Sequence, residues 1–315
     1  MSKKSNKSNK SNKSNIVIAA AAAAAPEIAI VNSKVSADNC VALLLNINCN
    51  RSFKYSHKPM REEVRADKKT KAIDLTIQLF RNEKNEVADF IGNFNTLLNE
   101  FHSKLSKVAL KVKIDGMVIV KTAKMDAAIA LINEYNVKLK DIATAAVSDL
   151  VTGMNSKYII ADKARMGEAF NEAIYGQAIE SLRATSMRVT RFSLSPALFG
   201  ESEYTGIIQQ ANNERWNRLL NVTKALVESI TGFEKGTASR FRSNVITNLI
   251  DEVETLKDIA PTDDAVLDGI MDKLATYAKS IDPEKIREDK AVATQTATDL
   301  ETLFSELDTL AKGIV

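Results

Sequence analysis

KAIDLTIQLFRNEKNEVADFIGNFNTLLNEFHSKL, residues 71–105, carries the strongest periodic signal in the chain. Ile73, Phe80, Val87, Phe94 and Phe101 recur every seven residues, and Ile77, Lys84, Ile91, Leu98 and Leu105 interleave at spacings of three and four. Such a pattern lays an apolar seam along one face of a helix, broken here by Lys84. It predicts a helix from about Met60 to Lys107, about 45 residues and, at 1.5 Å per residue, about 65 Å long.

Immediately downstream, LKVKIDGMVIVK (110–121) alternates apolar and polar side chains around Asp115-Gly116. That dipeptide suits a type I′ turn, which needs positive φ at both central positions. A β-hairpin at the helix tip follows, with Ile114 opposite Met117 and Val112 opposite Ile119, and Thr122 placed to cap the next helix. The heptad then resumes to about Leu150, with Met125, Ile132, Leu139 and Ala146 in one column and Ala128, Tyr135 and Ile142 in the other. Two heptad helices joined by a hairpin must run antiparallel and can bury each other's seams.

Further on, a helix is expected from about Ala161 to Leu182, then an extended stretch from Ser186 to Ser195 before Pro196, with a turn at Leu198-Phe199-Gly200. A helix from about Glu203 to Ile230 should stop at Gly232. Phe241, Val245 and Leu249 mark another. Thr262-Asp263-Asp264 caps the next, whose face is read as Val266, Ile270, Leu274 and Tyr277, and Asp282-Pro283 starts the last. That helix carries Thr296, Leu300, Leu303, Leu307, Leu310 and Ile314. A helical bundle is the economical packing.

Upstream, Val41 to Ile47 (VALLLNI) reads as one buried strand or the start of a helix. Residues 4–15 are four Lys-Ser-Asn triplets with nothing apolar to bury, an expected disordered tail. The apolar run Ile16 to Ala25 after this basic prefix mimics a signal peptide but is too short to span a bilayer. The expected organisation is therefore a tail over 1–38, a strand plus long helical hairpin over 39–155, and a bundle over 156–315. The fold class is all-α, with a small β-hairpin and one short strand.

The formal charge of +3 includes five positives from Lys3, Lys4, Lys7, Lys10 and Lys13, which leaves −2 for the rest. A second basic run lies between Arg51 and Lys71. Two cysteines, Cys40 and Cys49, are too few for a disulfide framework, so free thiols in a cytoplasmic protein are expected. With His57 and His102 they lack zinc-finger spacing, and no metal or cofactor is expected. His102, beside Phe101 in a heptad helix, reads as a helix-face residue. Phosphate-loop, dinucleotide-binding, serine-hydrolase and zincin motifs are all missing, which points away from an enzyme. Lys58, Arg61, Arg65, Lys68, Lys69, Arg188 and Arg191 are the candidate contacts for nucleic acid or another anionic partner. Trp216, between basic residues, is a candidate interface side chain.

The order of VALLLNI before Arg51, a long helix ending in Phe101-His102-Ser103-Lys104-Leu105, a short extended hairpin, a helix with Tyr135, and Leu198-Phe199-Gly200 ahead of the helix with Trp216 resembles a known pattern. It is similar, over about residues 41–255, to a helical family of unknown function from phages and plasmids, often encoded beside MoxR-like AAA+ ATPases and von Willebrand A proteins. The resemblance carries no catalytic residues. Together with the exposed length of the expected hairpin, it leads to the expectation of a non-enzymatic adaptor or scaffold whose helical hairpin and C-terminal bundle bind a protein, either a second copy or an AAA+ ATPase. A nucleic-acid-binding accessory protein and a virion component are the alternative expectations, and no membrane association is expected.

Overall fold

The structure is a computed structural model and describes residues 39–51, 53–56, 76–81, 84, 88–152, 157–167, 170, 172–238 and 240–314. VALLLNI is a strand, β1 (Cys40–Asn48), and its unbroken apolar run has a simple cause. β1 is central in a four-stranded antiparallel sheet, between β5 (Met117–Lys121) and β6 (Ser186–Ser193), with β4 (Leu110–Lys111) beyond β5. A strand covered on both faces cannot alternate apolar with polar side chains. Cys40 and Ala42 enter one core; Val41, Leu43 and Leu45 enter the other. A separate two-stranded ladder pairs β2 (Lys54–Ser56) with β3 (Thr76–Gln78).

The first face of the sheet packs against α6 (Glu201–Glu234), and α7 (Asn244–Asp258), α8 (Ala265–Ser280) and α10 (Lys290–Ile314) complete the same core behind it. The second is covered by α1 (Asp89–Leu105), α2 (Met125–Thr152) and α4 (Glu172–Arg183). α3 (Lys157–Met166) and the short α5 (Pro196–Phe199) and α9 (Pro283–Glu288) complete a mostly helical fold with a small sheet between its helical layers. No helix among the described residues is long and apolar enough to cross a membrane.

The predicted helical hairpin is present in shorter form. α2 buries Met125, Ala128, Ile132, Tyr135, Leu139, Ala143, Ala146 and Leu150 at spacings of three and four. α1 packs against it antiparallel: Phe101 meets Tyr135 at 5.4 Å, while Asp89 and Phe90 share a cavity wall with Ala146 and Leu150. The seam residues Ile91, Phe94, Leu98, Phe101 and Leu105 are buried as read. The helix does not, however, run back to Met60. Residues 76–78 are strand, Leu79 and Phe80 bend, and α1 starts at Asp89. The start of the predicted helix, from Met60 to Leu75, lies outside the described residues, as does the 1–38 tail.

Phe80 explains the break. It is fully buried with φ +60°, and its ring meets those of Phe53 (4.9 Å), Tyr175 (5.3 Å) and Phe90 (5.6 Å) edge-on. Its N–H donates to the buried Asp162 carboxylate at 2.8 Å, which also accepts from the Tyr175 hydroxyl and pairs with Arg165. A left-handed backbone costs a non-glycine residue about 1–2 kcal/mol. The aromatic burial and the bond to a charged acceptor outweigh that cost, so the seven-residue spacing through Phe80 is not a helical seam.

Several boundaries also move. The hairpin pairs Leu110 with Ile119 and Lys111 with Val118, two residues out of the predicted register, and Met117 N–H closes its turn on Ile114. Gly116 has φ +73° while Asp115 keeps negative φ, so the turn is not type I′. β5 pairs along β1 from Leu44↔Met117 to Cys40↔Lys121, so the hairpin belongs to the sheet rather than projecting from a helix tip. Thr122 opens a 3-10 turn (Thr122–Lys124) instead of capping; Lys121 holds the cap position. Gly167, at φ +53°, divides the helix expected over 161–182.

α6 runs through Gly232 and stops before Gly236, at φ +71°. A stop glycine must sit one position beyond the helix, which Gly232 does not. On α8 the buried stripe is Leu267, Met271, Leu274 and Ala278; Val266 is exposed. Asp264 does cap that helix, accepting from Leu267 N–H at 3.0 Å, and Asp282 caps α9. Asp289 then accepts from Ala291 N–H at 2.8 Å, which ends α9 and begins α10 as a separate helix.

Candidate functional site

β6 forms one edge of the sheet, and among the described residues no strand pairs with its outer side. Its orientation can be read from one bond. Met187 N–H donates away from β1, to Asn136 Oδ1 of α2 at 2.7 Å. A period of two then turns the N–H groups of Val189 and Arg191 outward as well. Arg188, Thr190, Arg191 and Ser193 are exposed; Val189 and Phe192 are half-buried.

Arg188 and Arg191 are the two predicted contact residues that the structure describes. Their odd spacing places them on opposite faces of the sheet: Arg188 lies across from Asn46 and Arg191 across from Leu43. They therefore do not join into one basic patch. Lys58, Arg61, Arg65, Lys68 and Lys69 lie outside the described residues. Trp216 is a core residue, 1% exposed, packed with the α6–α10 helices and unavailable as an interface side chain. Helical periodicity placed it on an amphipathic helix but could not say which face the sheet would cover.

A second feature had no sequence signal. Where β1 outruns β5, residues Leu44 to Ile47, the turn Asp115-Gly116, the end of α1 and the α6 residues Glu214 and Arg218 enclose a cleft of about 730 Å³. It wraps the end of the sheet, with Leu45, Leu105 and Val118 lining it on one face and Leu44 and Met117 on the other, and His102, Lys111, Glu214 and Arg218 converge on it. Arg218 is fixed in place: it donates to Glu252 at 2.6 Å and to the Ser106 carbonyl at 2.8 Å, while Lys107 reaches the other Glu252 oxygen at 3.2 Å. This bridge ties the end of α1 to α6 and α7.

Burial, reinforced by Lys111 and Arg51, holds His102 below the usual imidazole range. Burial also pushes the Glu214 carboxyl up; Arg218 and Lys111 oppose that shift and Glu252 adds to it. Both groups thus sit in a partly dry cleft in which the charges acting on His102 are cationic, while the lining as a whole sets Lys111 and Arg218 against Asp115 and Glu214. Cys49, just past the end of β1, is a free thiol raised to about 11 by burial, and no group of three or more acidic, histidine or cysteine side chains suited to a metal occurs among the described residues. No protein-family model, curated protein or solved structure matches this chain.

Proposed function

We propose that the protein is a non-enzymatic adaptor that binds a protein partner by adding one of the partner's strands to the outer edge of β6. The observation that supports this reading is the outward direction of the Val189 and Arg191 N–H groups on a strand that has α2 beside it at Met187 but no outer strand among the described residues. An exposed strand edge is a template for main-chain hydrogen bonding, and side chains on the two faces then select the partner. Arg188 and Arg191, on opposite faces, favour a strand with two acidic residues three positions apart, which an odd spacing also places on opposite faces.

Val189→Pro tests this with little harm to the sheet. It removes an N–H that does not serve the β1 ladder, a substitution tolerated on edge strands. A Thr- and Val-rich peptide with two glutamates three positions apart should bind the native protein, protect the Val189 and Arg191 amides from hydrogen exchange, and fail to bind Val189→Pro. Amides already protected in the free monomer, or equal binding by the proline variant, would overturn the reading. Protection that depends on protein concentration would identify a second copy of the chain as the strand donor.

A further inference from the structure

We infer that the cleft between the end of β1, the hairpin turn and α6 binds an amphipathic carboxylate, its apolar body on the Leu45, Leu105 and Val118 floor and its carboxylate between Lys111 and His102. This site is separate from the β6 edge, on the opposite side of β1. Its volume, about 730 Å³, suits a small ligand, and a mostly apolar lining with a few convergent polar groups is the usual composition of such sites.

The sign of the ligand follows from the charges. Arg218 is held by Glu252, a carboxylate it shares with Lys107. Among the described residues, Lys111 forms no ion pair, and Arg51 reaches only the neutral Asn95, at 3.4 Å. The charges acting on His102 are the cations Lys111 and Arg51. Glu214 and Arg218 face the same space from α6, and Asp115 lies exposed at the turn. An anion entering between Lys111 and His102 relieves the positive field at His102, against the opposing charge of Glu214, and favours the protonated imidazole, so binding takes up a proton. A cation there meets Lys111 directly.

The apolar body has a specific seat. Leu45 N–H is the last of β1 to bond the hairpin, at 2.7 Å to the Gly116 carbonyl, and beyond it Ile47 lines the cleft without a β5 neighbour. That leaves a wall of aliphatic side chains open where the sheet narrows.

The test uses the full chain and three probes with one body: decanoate, decylamine and decanol. Decanoate should bind one-to-one by calorimetry, shift the amide resonances of Ser106, Lys111 and Gly116, and bind more tightly as pH falls from about 8 to about 6 through the histidine range. Lys111→Gln should weaken it roughly tenfold, the scale of one lost charge-assisted contact. His102→Gln should flatten the pH dependence, and Glu214→Gln should tighten binding. Equal binding by decylamine or decanol, unchanged affinity in Lys111→Gln, or resonance shifts away from the cleft would each overturn the inference. A Leu- and Val-rich peptide with a free C-terminus, compared with its amide, separates the sources. Binding of decanoate assigns a free acid, binding of the peptide acid alone assigns a chain terminus, and binding of neither overturns the site.

Discussion

Leu45 donates its backbone N–H to the Gly116 carbonyl at 2.7 Å, and a Cβ on Gly116 would collide with the Leu45 carbonyl oxygen. Gly116 also has φ +73°. Gly116→Ala therefore combines backbone strain with a clash against a strand that cannot retreat, because β1 is held by β6 on its other side. A loss of about 2–4 kcal/mol is expected in denaturant titration, from a left-handed alanine plus overpacking. Gly92→Ala provides the opposite sign. Gly92 is exposed within α1 with nothing within 4 Å of a new Cβ, and it should gain up to about 1 kcal/mol of helix propensity. Equal effects at the two positions would refute the assigned backbone geometry.

Phe94 sits in the α1–α2 seam with no exposed surface. Phe94→Ala should cost about 3–5 kcal/mol through the cavity it leaves, and Phe94→Asp more, because it adds an unpaired buried charge. Thermal melting reads both, and an unchanged midpoint for the aspartate would exclude the seam.

Asp162 holds the positive-φ residue Phe80 through its N–H at 2.8 Å. Asp162→Ala leaves that N–H, the Tyr175 hydroxyl and Arg165 without their shared acceptor, for an expected loss of about 3 kcal/mol. Hydrogen exchange at Phe80 should rise together with the fall in stability. If only global stability changed and the Phe80 amide stayed protected, Asp162 would not be the anchor of that bend.

His102 titrates lower in the folded chain than in the unfolded one because of burial, Lys111 and Arg51; Glu214, Arg218 and Asp115 share its cleft. The unfolded state therefore binds more protons below the ordinary histidine pKa, so the His102 contribution is intact above about pH 6.5 and lost as pH falls below it. His102→Gln should remove that part of the acid destabilisation. Glu214 acts in the reverse sense: burial raises its folded pKa, so neutral Glu214 is favoured and its charged form costs stability as pH rises through the carboxylate range. Glu214→Gln should accordingly be more stable than the native chain at neutral pH. Matching pH–stability curves for all three proteins would contradict the cleft's electrostatics.

Local chemistry made much of this fold readable. The heptads of α2 and of α1 from Ile91 onward name side chains that are buried, apart from Ile142, which is half-buried beside the buried Ala143, and Asp264 and Asp282 cap where capping chemistry places them. VALLLNI reads as one buried strand or the start of a helix, and its pairing with β5 and β6 makes it a strand. The sequence failed where a long-range contact overrode a local one. Phe80 keeps heptad spacing, yet Asp162, 82 positions away, and a cluster of aromatic rings draw it out of any helix.

The candidate sites divide in the same way. Arg188 and Arg191 could be named from sequence, but their separation onto two faces of an edge strand depends on β6 pairing with β1, far upstream in the chain. The convergence of His102, Lys111, Glu214 and Arg218 leaves no pattern in the chain, because the sheet end and two helices bring them together. Sequence by itself determined most of the helices and the apolar faces of α1 and α2, since the 3.6-residue period is a local property of the backbone, but not the strand and bend at 76–80 or the buried stripe of α8. Tertiary structure alone decided which strand became an edge and which polar groups share a cleft, because both depend on pairing between segments whose separation carries no periodic mark.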